Sequence, residues 1–380
     1  MDFKFTEEQE MIRQTARKFA INELLPHTAE WEKSGEYPPD LIKRLGDLGL
    51  VNTSVPPEYG GQGTDRVTGG IIVEELARGD FALSSFGSSA IGDAFLIYGT
   101  EDQKNEWLPG MVRGEKIIGI ALTESESGSD AAGLKMKAVR DGDSFILNGE
   151  KSSTSMVTSD AWLVLARTDP DSPNARGISC FIVSRDTPGV TTSVYNDMAT
   201  NANARGPIAF EDVYIPVANL FGEENRGFHL IMNTFDHNRA IIALMCIGGT
   251  QQILEETIEF AKNRSSFGRV ITTNQAVSFP LAEAATRLEL ARLICYKVLW
   301  LRDNDQPHTI EAAMAKWWVP RTCVEILHEC LLIHGHFGYT DEFLVAQRLR
   351  EVIGWEIGDG TANIQKLIIA RNLIGRDYVV

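Results

Sequence analysis

Apolar positions change period twice along the chain. From Thr6 to about Glu23 they recur at helical spacing; Thr6 and Gln9 form a capping-box pair at the start, and Pro26 closes the segment. The helical period continues over residues 39–48. It resumes over 68–77 and 81–98 after the turn-rich stretch Val55-Pro56-Pro57-Glu58-Tyr59-Gly60-Gly61. From about Lys116 the pattern shortens to β-rich runs at 117–122, 136–140, 144–147, 161–166, 178–184, 190–194 and 208–215. Asp141-Gly142 and Asn148-Gly149 are turn dipeptides between such runs, a spacing that predicts an antiparallel sandwich or barrel and not βαβ units. After Gly227 long helical periods return at about 228–263, 276–304, 309–334, 343–353 and 361–374, predicting an up-and-down bundle. The expected fold class is mainly α with a central antiparallel β domain, divided as 1–115 (helical), 116–227 (β) and 228–380 (bundle).

Composition narrows the function. A formal charge of −16 argues against nucleic acid as a partner, and no apolar run reaches the ~20 residues that a membrane-spanning helix needs. Met1-Asp2-Phe3-Lys4 lacks the basic and apolar regions of a leader, which points to a cytosolic chain. Five scattered cysteines without a CxxC pair are read as buried, reduced thiols. No GxGxxG or P-loop motif is present, so a Rossmann nucleotide site is disfavoured. His334-Gly335-His336 has no third ligand at a suitable spacing, and no metal is expected.

Three segments hold candidate chemistry. The loop from Glu124 to Asp130 is either a solvated turn or a cradle of N–H and hydroxyl groups. Asp359 lies between Gly358 and Gly360 ahead of the last helix, where an acid suits the helix N-terminus or serves catalysis. Asp93 interrupts the apolar segment Ala90-Ile91-Gly92-Asp93-Ala94-Phe95, so it is either paired inside the fold or lines a pocket.

Several motifs, in this order and over essentially the whole chain, resemble the acyl-CoA dehydrogenase family of flavoproteins. They are Pro56-x-x-Tyr59-Gly60-Gly61 with Glu74-Glu75-Leu76-Ala77; Gly99-Thr100-Glu101-Asp102-Gln103; Ala121-Leu122-Thr123-Glu124 through Gly128-Ser129-Asp130; and Phe210-Glu211-Asp212-Val213. Arg264-Ser265-Ser266-Phe267-Gly268 with Gln275, the stretch Ile333 to Thr340, and Gly360-Thr361 complete the series. The resemblance implies an FAD enzyme, assembled as a homotetramer, that removes a proton and a hydride from adjacent carbons of a CoA thioester. Its electrons would pass to an electron-transferring flavoprotein. By position, Thr123, Ser129 and Ser155 match flavin contacts. Arg264, Phe267, Gln275, Gly335, Thr361 and Asn363 match contacts to the cofactor, partly that of a neighbouring subunit. Asp236 and Arg239 match the helix that touches acyl-CoA.

The departures point to the acyl group. Asp359 stands where the family usually keeps a catalytic glutamate, and Asn238, at the family's other base position, has no basic group; Asp93 is the other candidate base. Gly358 precedes the base where an aromatic is usual, Ser153 replaces an aromatic beside the flavin, and Gly87, Ser88, Ser89 and Ala90 are small on the segment expected to line the acyl site. The pocket read from these residues is wide, and the chain resembles the cyclohexane- and cyclohexene-carboxyl-CoA dehydrogenases of anaerobic aromatic degradation. The rival readings are an ordinary short- or branched-chain acyl-CoA dehydrogenase and a non-catalytic or biosynthetic flavoprotein relative.

Overall fold

The computed structural model describes residues 3–172 and 174–379; Met1 and Asp2 of the N-terminal reading, and Val380 of the third segment, lie outside them. Helices α1 (Glu7–Phe19), α2 (Thr28–Ser34), α3 (Leu41–Asp47), α4 (Arg66–Leu76), α5 (Ala90–Tyr98) and α6 (Glu101–Val112) form the first part. The Thr6/Gln9 capping box is present and recurs at Thr100/Gln103, so two helix starts follow from local hydrogen bonding. The expected helix over 81–98 is broken: its first part is a 3-10 turn, Leu83–Gly87. Asp80 is the cause, because its carboxylate accepts the N–H of Leu83 (2.9 Å) and the hydroxyls of Thr28 (2.6 Å) and Tyr37 (2.8 Å), bending the chain where a helix would begin.

The middle part is one curled sheet of β1 (Ile118–Ala121), β2 (Lys137–Asp141), β3 (Ser144–Thr154), β4 (Ala161–Arg167), β5 (Ile178–Ser184), β6 (Val190–Thr192) and β7 (Gly206–Pro216). The sheet is mixed and not wholly antiparallel: β1 runs parallel to β4, and β2 meets β4 in parallel at Lys137/Arg167. Asp141-Gly142 turns the β2/β3 hairpin, but Asn148-Gly149 is no turn: it lies inside β3, at a register shift against β7, and the β1/β4 pairing joins distant segments that no local signal connects.

The last part holds α7 (Gly227–Asn263), the small hairpin β8 (Ser265–Ser266) and β9 (Arg269–Val270), then α8 (Gln275–Asp303), α9 (Thr309–His334), α10 (Val345–Gly354) and α11 (Ala362–Ile374). Every residue of α7 from Arg239 to Thr250 is buried, since α4, α8 and α9 pack around it. Gly248 permits this: a Cβ there would run into the Glu74 carbonyl of α4. The resulting core joins Val73 and Phe81 of the first part to the bundle, so α7 is fixed against both. Among the described residues no helix is long and apolar enough to cross a membrane.

Candidate functional site

The turn between α10 and α11 presents Asp359. Its backbone has a left-handed φ of 52°, uncommon for a residue with a side chain. The turn is clamped on two sides. Lys316, buried on α9, donates to Trp355 O (2.7 Å) and Gly360 O (3.5 Å); Gln365 of α11 donates to Asp359 O (3.3 Å) and Gly360 O (3.1 Å). Burial lowers the Lys316 pKa, and the Asp359 charge opposes that effect. From α7, Asn238 Nδ2 donates to Asp359 Oδ2 at 2.7 Å. The half-buried carboxylate is thereby held through Oδ2.

Asp93 has different surroundings. It is fully buried; Oδ1 accepts the Ser54 hydroxyl (2.7 Å), and Oδ2 accepts Arg66 Nε (3.0 Å) with His237 Nδ1 3.3 Å away. Burial pushes its carboxyl up, but the neighbouring His237 ring and the Arg66 guanidinium outweigh that and hold it well below the usual carboxylate range. This is the paired alternative of the two expected for Asp93: both oxygens are engaged, and the carboxylate links α5 to α7. Thr309 Oγ1 donates to Asp236 Oδ2 (2.6 Å), and Asp236 also pairs with Arg239, so these α7 residues form a second polar group next to Asn238.

At the β domain, Thr123 follows β1 and its carbonyl accepts the Ser152 N–H (2.9 Å), which places Thr123 beside the end of β3 and hence near Ser155. The following Glu124 is held by Lys151 Nζ (2.7 Å) and by the N–H groups of Lys135 (2.6 Å) and Met136 (3.0 Å). Lys151 is fully buried, also donates to Leu122 O (3.1 Å), and burial lowers its pKa to about 8. This pair, absent from the sequence reading, sets the loop on which Ser129 is exposed. Around Ser153, Arg205 donates to its Oγ (3.0 Å) and lies over the Tyr195 ring, whose hydroxyl donates to Ser152 O (3.0 Å). An aromatic ring therefore approaches this edge of β3 although residue 153 supplies none.

The remaining expected residues lie at the bundle. Phe267, at the tip of the β8/β9 hairpin, is fully exposed with a φ of 51°, and Arg264 lies over the Phe337 ring, which joins the hairpin to the turn at Gly335. Gln275 opens α8, Thr361 caps α11 through Ile364 N (3.4 Å), and Asn363 is exposed in the first turn of α11. His334 stacks on Phe260 and bonds Cys330 O (2.9 Å).

The wide-pocket expectation is modified in part. A Cβ at Gly87 would meet Ile72 Cγ2 at 2.8 Å, so that glycine serves packing against α4. Ser88 and Ser89 accept backbone N–H groups of Ala90 and Ser54, respectively. Beside Gly358, the Trp355 ring stands 3.4 Å from where a Cβ would be, so an aromatic from three residues earlier borders Gly358. Ala90 is buried at the start of α5.

Models described as the N-terminal, middle and C-terminal domains of acyl-CoA dehydrogenase match residues 6–115, 119–213 and 225–374. The chain is 38% identical over 379 residues to the probable acyl-CoA dehydrogenase YngJ of Bacillus subtilis, covering 98% of this chain and 100% of that protein. It is 37% identical to the caffeyl-CoA reductase-Etf complex subunit CarC of Acetobacterium woodii, covering 97% and 99%. Among solved structures, butyryl-CoA dehydrogenase from Megasphaera elsdenii superposes with a TM-score of 0.95 at 30% identity, covering 98% of this chain and 100% of that one.

Proposed function

Because the chain belongs to the acyl-CoA dehydrogenase family, an FAD-dependent group of oxidoreductases acting on CH–CH bonds of acyl-CoA, we propose that it oxidises a ring-bearing acyl-CoA with Asp359 as the base. The observation that carries this is the Asn238–Asp359 hydrogen bond, which fixes a carboxylate on a clamped turn. Asp359 takes the α proton of the thioester, and Lys316 beneath the turn keeps a cation close to the carboxylate.

FAD, when bound, accepts the hydride that leaves the β carbon. The residues of this chain fit that cofactor. Gly128, Gly268 and Gly335 have open space where a Cβ would be, as a backbone approached closely by a ligand requires, and Thr154 Oγ1 is buried without a partner at the end of β3. Thr123, Ser129 and Ser155 supply hydroxyls along one edge. Arg264, Phe267, Gln275, Gly335, Thr361 and Asn363 form the second set. The exposure of Phe267 supports a homotetramer in which a neighbouring copy covers it. Asp236 and Arg239 would border the CoA arm beside the base. An electron-transferring flavoprotein is the proposed acceptor, in keeping with the Etf complex named for the relative CarC. The division into 1–115, 116–227 and 228–380, and a cytoplasmic location, belong to the same proposal.

For the acyl group, residues 90 and 358 are small, and the relative CarC is named for caffeyl-CoA, whose acyl group carries a ring. With Asp93 engaged as a fixed anion, the reaction is elimination across the α and β carbons and not a 1,4-elimination. A second reading, a short- or branched-chain substrate, is favoured by the Trp355 ring beside Gly358. Anaerobic mixing of the FAD-loaded enzyme with cyclohexanecarboxyl-CoA, cyclohexenecarboxyl-CoA, butyryl-CoA and isobutyryl-CoA separates the two. Bleaching of the flavin band by ring esters alone is expected; bleaching only by butyryl- or isobutyryl-CoA would establish the second reading.

A further inference from the structure

The backbone around Thr123 is held at three points, and two of them belong to one side chain. Lys151 is fully buried on β3, and its Nζ donates to Leu122 O (3.1 Å) and to Glu124 Oε1 (2.7 Å), the residues on either side of Thr123. The next N–H of β3, that of Ser152, donates to Thr123 O (2.9 Å). The chain is thereby fixed before and after Thr123, while none of these bonds uses its hydroxyl.

The same carboxylate closes the loop that follows. Glu124 also accepts the N–H groups of Lys135 (2.6 Å) and Met136 (3.0 Å), so residues 124–136 leave and return through one acid. Inside the loop, Glu124 and Ser127 exchange backbone hydrogen bonds (3.3 and 3.1 Å), and the Ser127 hydroxyl donates to Asp130 O (2.6 Å). Gly128 and Ser129 are left on the outside, Gly128 with open space where a Cβ would be. Taking an amine out of water costs folding free energy, and both bonds of this one end on the neighbours of Thr123. Among the described residues Glu124 is the carboxylate within ion-pair reach of Lys151; the other charges near the neck, Lys135 and Glu126, pair with each other on the exposed side of the loop.

We propose that Lys151 is a positioning residue for the flavin: its ammonium sets Thr123 and the neck of the 124–136 loop in the conformation that binds FAD, so the cofactor is retained through the charge of a buried amine. The inference rests on the reading of Thr123 and Ser129 as cofactor contacts. A charged amine grips a carbonyl and a carboxylate strongly, whereas a neutral one keeps the shape and loses much of that strength. Burial brings the amine's pKa down to about 8, with the Glu124 charge opposing the effect. The clamp is therefore charged at pH 7 and mostly neutral at pH 9. The fraction of chains ready for FAD falls about tenfold between the two, and the apparent affinity falls with it.

The experiment dilutes the FAD-loaded full chain at a series of pH values from 7 to 9 and follows FAD release by its fluorescence, in the wild type, Thr123→Val, Lys151→Met and Glu124→Gln. Wild-type affinity about tenfold weaker at pH 9 than at pH 7 is expected. Lys151→Met should bind FAD about tenfold or more weakly at pH 7, with the pH dependence gone. Glu124→Gln removes the anion that supports the lysine charge, so the midpoint of the loss should move below pH 8; a role in folding alone would lower thermal stability without moving it. If Lys151→Met does not fold, the wild-type profile and the Glu124→Gln midpoint decide. FAD retention in Thr123→Val equal to that of the wild type would overturn the cofactor-contact reading and this proposal with it. With Thr123→Val weakened, a folded Lys151→Met that keeps wild-type affinity, a wild-type affinity flat from pH 7 to 9, or an unmoved midpoint in Glu124→Gln would overturn the role of Lys151 alone.

Discussion

Asn238 and Asp359, separated by more than a hundred residues, meet through a 2.7 Å hydrogen bond between an amide on α7 and the carboxylate of a left-handed turn. The amide cannot take a proton at this position, but it can decide where the carboxylate points. Asn238 is thus a positioning residue and Asp359 the proposed catalytic one.

Replacing Asp359 with Asn is expected to lower the rate of flavin reduction by roughly 10²–10⁴-fold, the range for loss of a placed general base. Bound FAD and melting temperature should change little, because Asn tolerates the same backbone. Stopped-flow bleaching under anaerobic conditions reads the effect, and turnover near that of the wild type would move the base elsewhere.

Asn238→Leu leaves the acid present but unaimed. A loss of about 10- to 100-fold in kcat is expected, with the rate limited by geometry. Asn238→Asp would place a second carboxylate beside the first, and the pH profile of kcat should then rise at higher pH, as expected when two acids share a site. An unchanged profile in Asn238→Asp would contradict their contact.

Asp93→Asn removes the anion between Arg66, His237 and Arg302 and leaves buried cations without it. A loss of about 3–5 kcal/mol in stability is expected. Denaturant unfolding measures it, and activity with saturated and unsaturated ring esters should fall in parallel; a selective loss with the unsaturated ester would restore a second base at this position.

Lys151 gives a pH signature. Its native pKa of about 8 lies below the ordinary lysine value of 10.5, so below about 8 both states carry the proton. Between these values the unfolded chain holds a proton that the native chain has released, and stability gains with rising pH. The unfolding free energy of wild type minus that of Lys151→Met should therefore increase from pH 8 to 10.5, and a flat difference would rule out the depressed amine.

Gly248→Leu must push α4 away from α7. A cost of about 1–3 kcal/mol or more is expected from overpacking, seen as a lower melting temperature, with loss of activity if the first part of the chain shifts relative to Asn238.

Much of the fold was legible because its signals are local. The periods over 178–184 and 309–334 coincide with β5 and α9, and the Thr6/Gln9 capping box starts α1 as read. The failure over 81–98 came from Asp80, whose partners Thr28 and Tyr37 lie far back in the sequence. The residues missed at the site share that property. Lys316 and Gln365 look like ordinary polar helix positions until α9 and α11 are packed. Lys151 left one usable trace: it falls in phase with the buried Phe145 and Leu147 on β3, the wrong side for a solvated lysine.

The handedness of residue 359 has an evolutionary consequence. Aspartate and asparagine enter left-handed backbone more readily than longer side chains, because their short polar groups can bond locally. A mutation to glutamate is a small genetic step that would lengthen the acid, yet it would place a less tolerant residue between Gly358 and Gly360 at a φ of 52°. The turn itself therefore selects among acids before any substrate does, and a longer acid at this position would first require the backbone to be rewound.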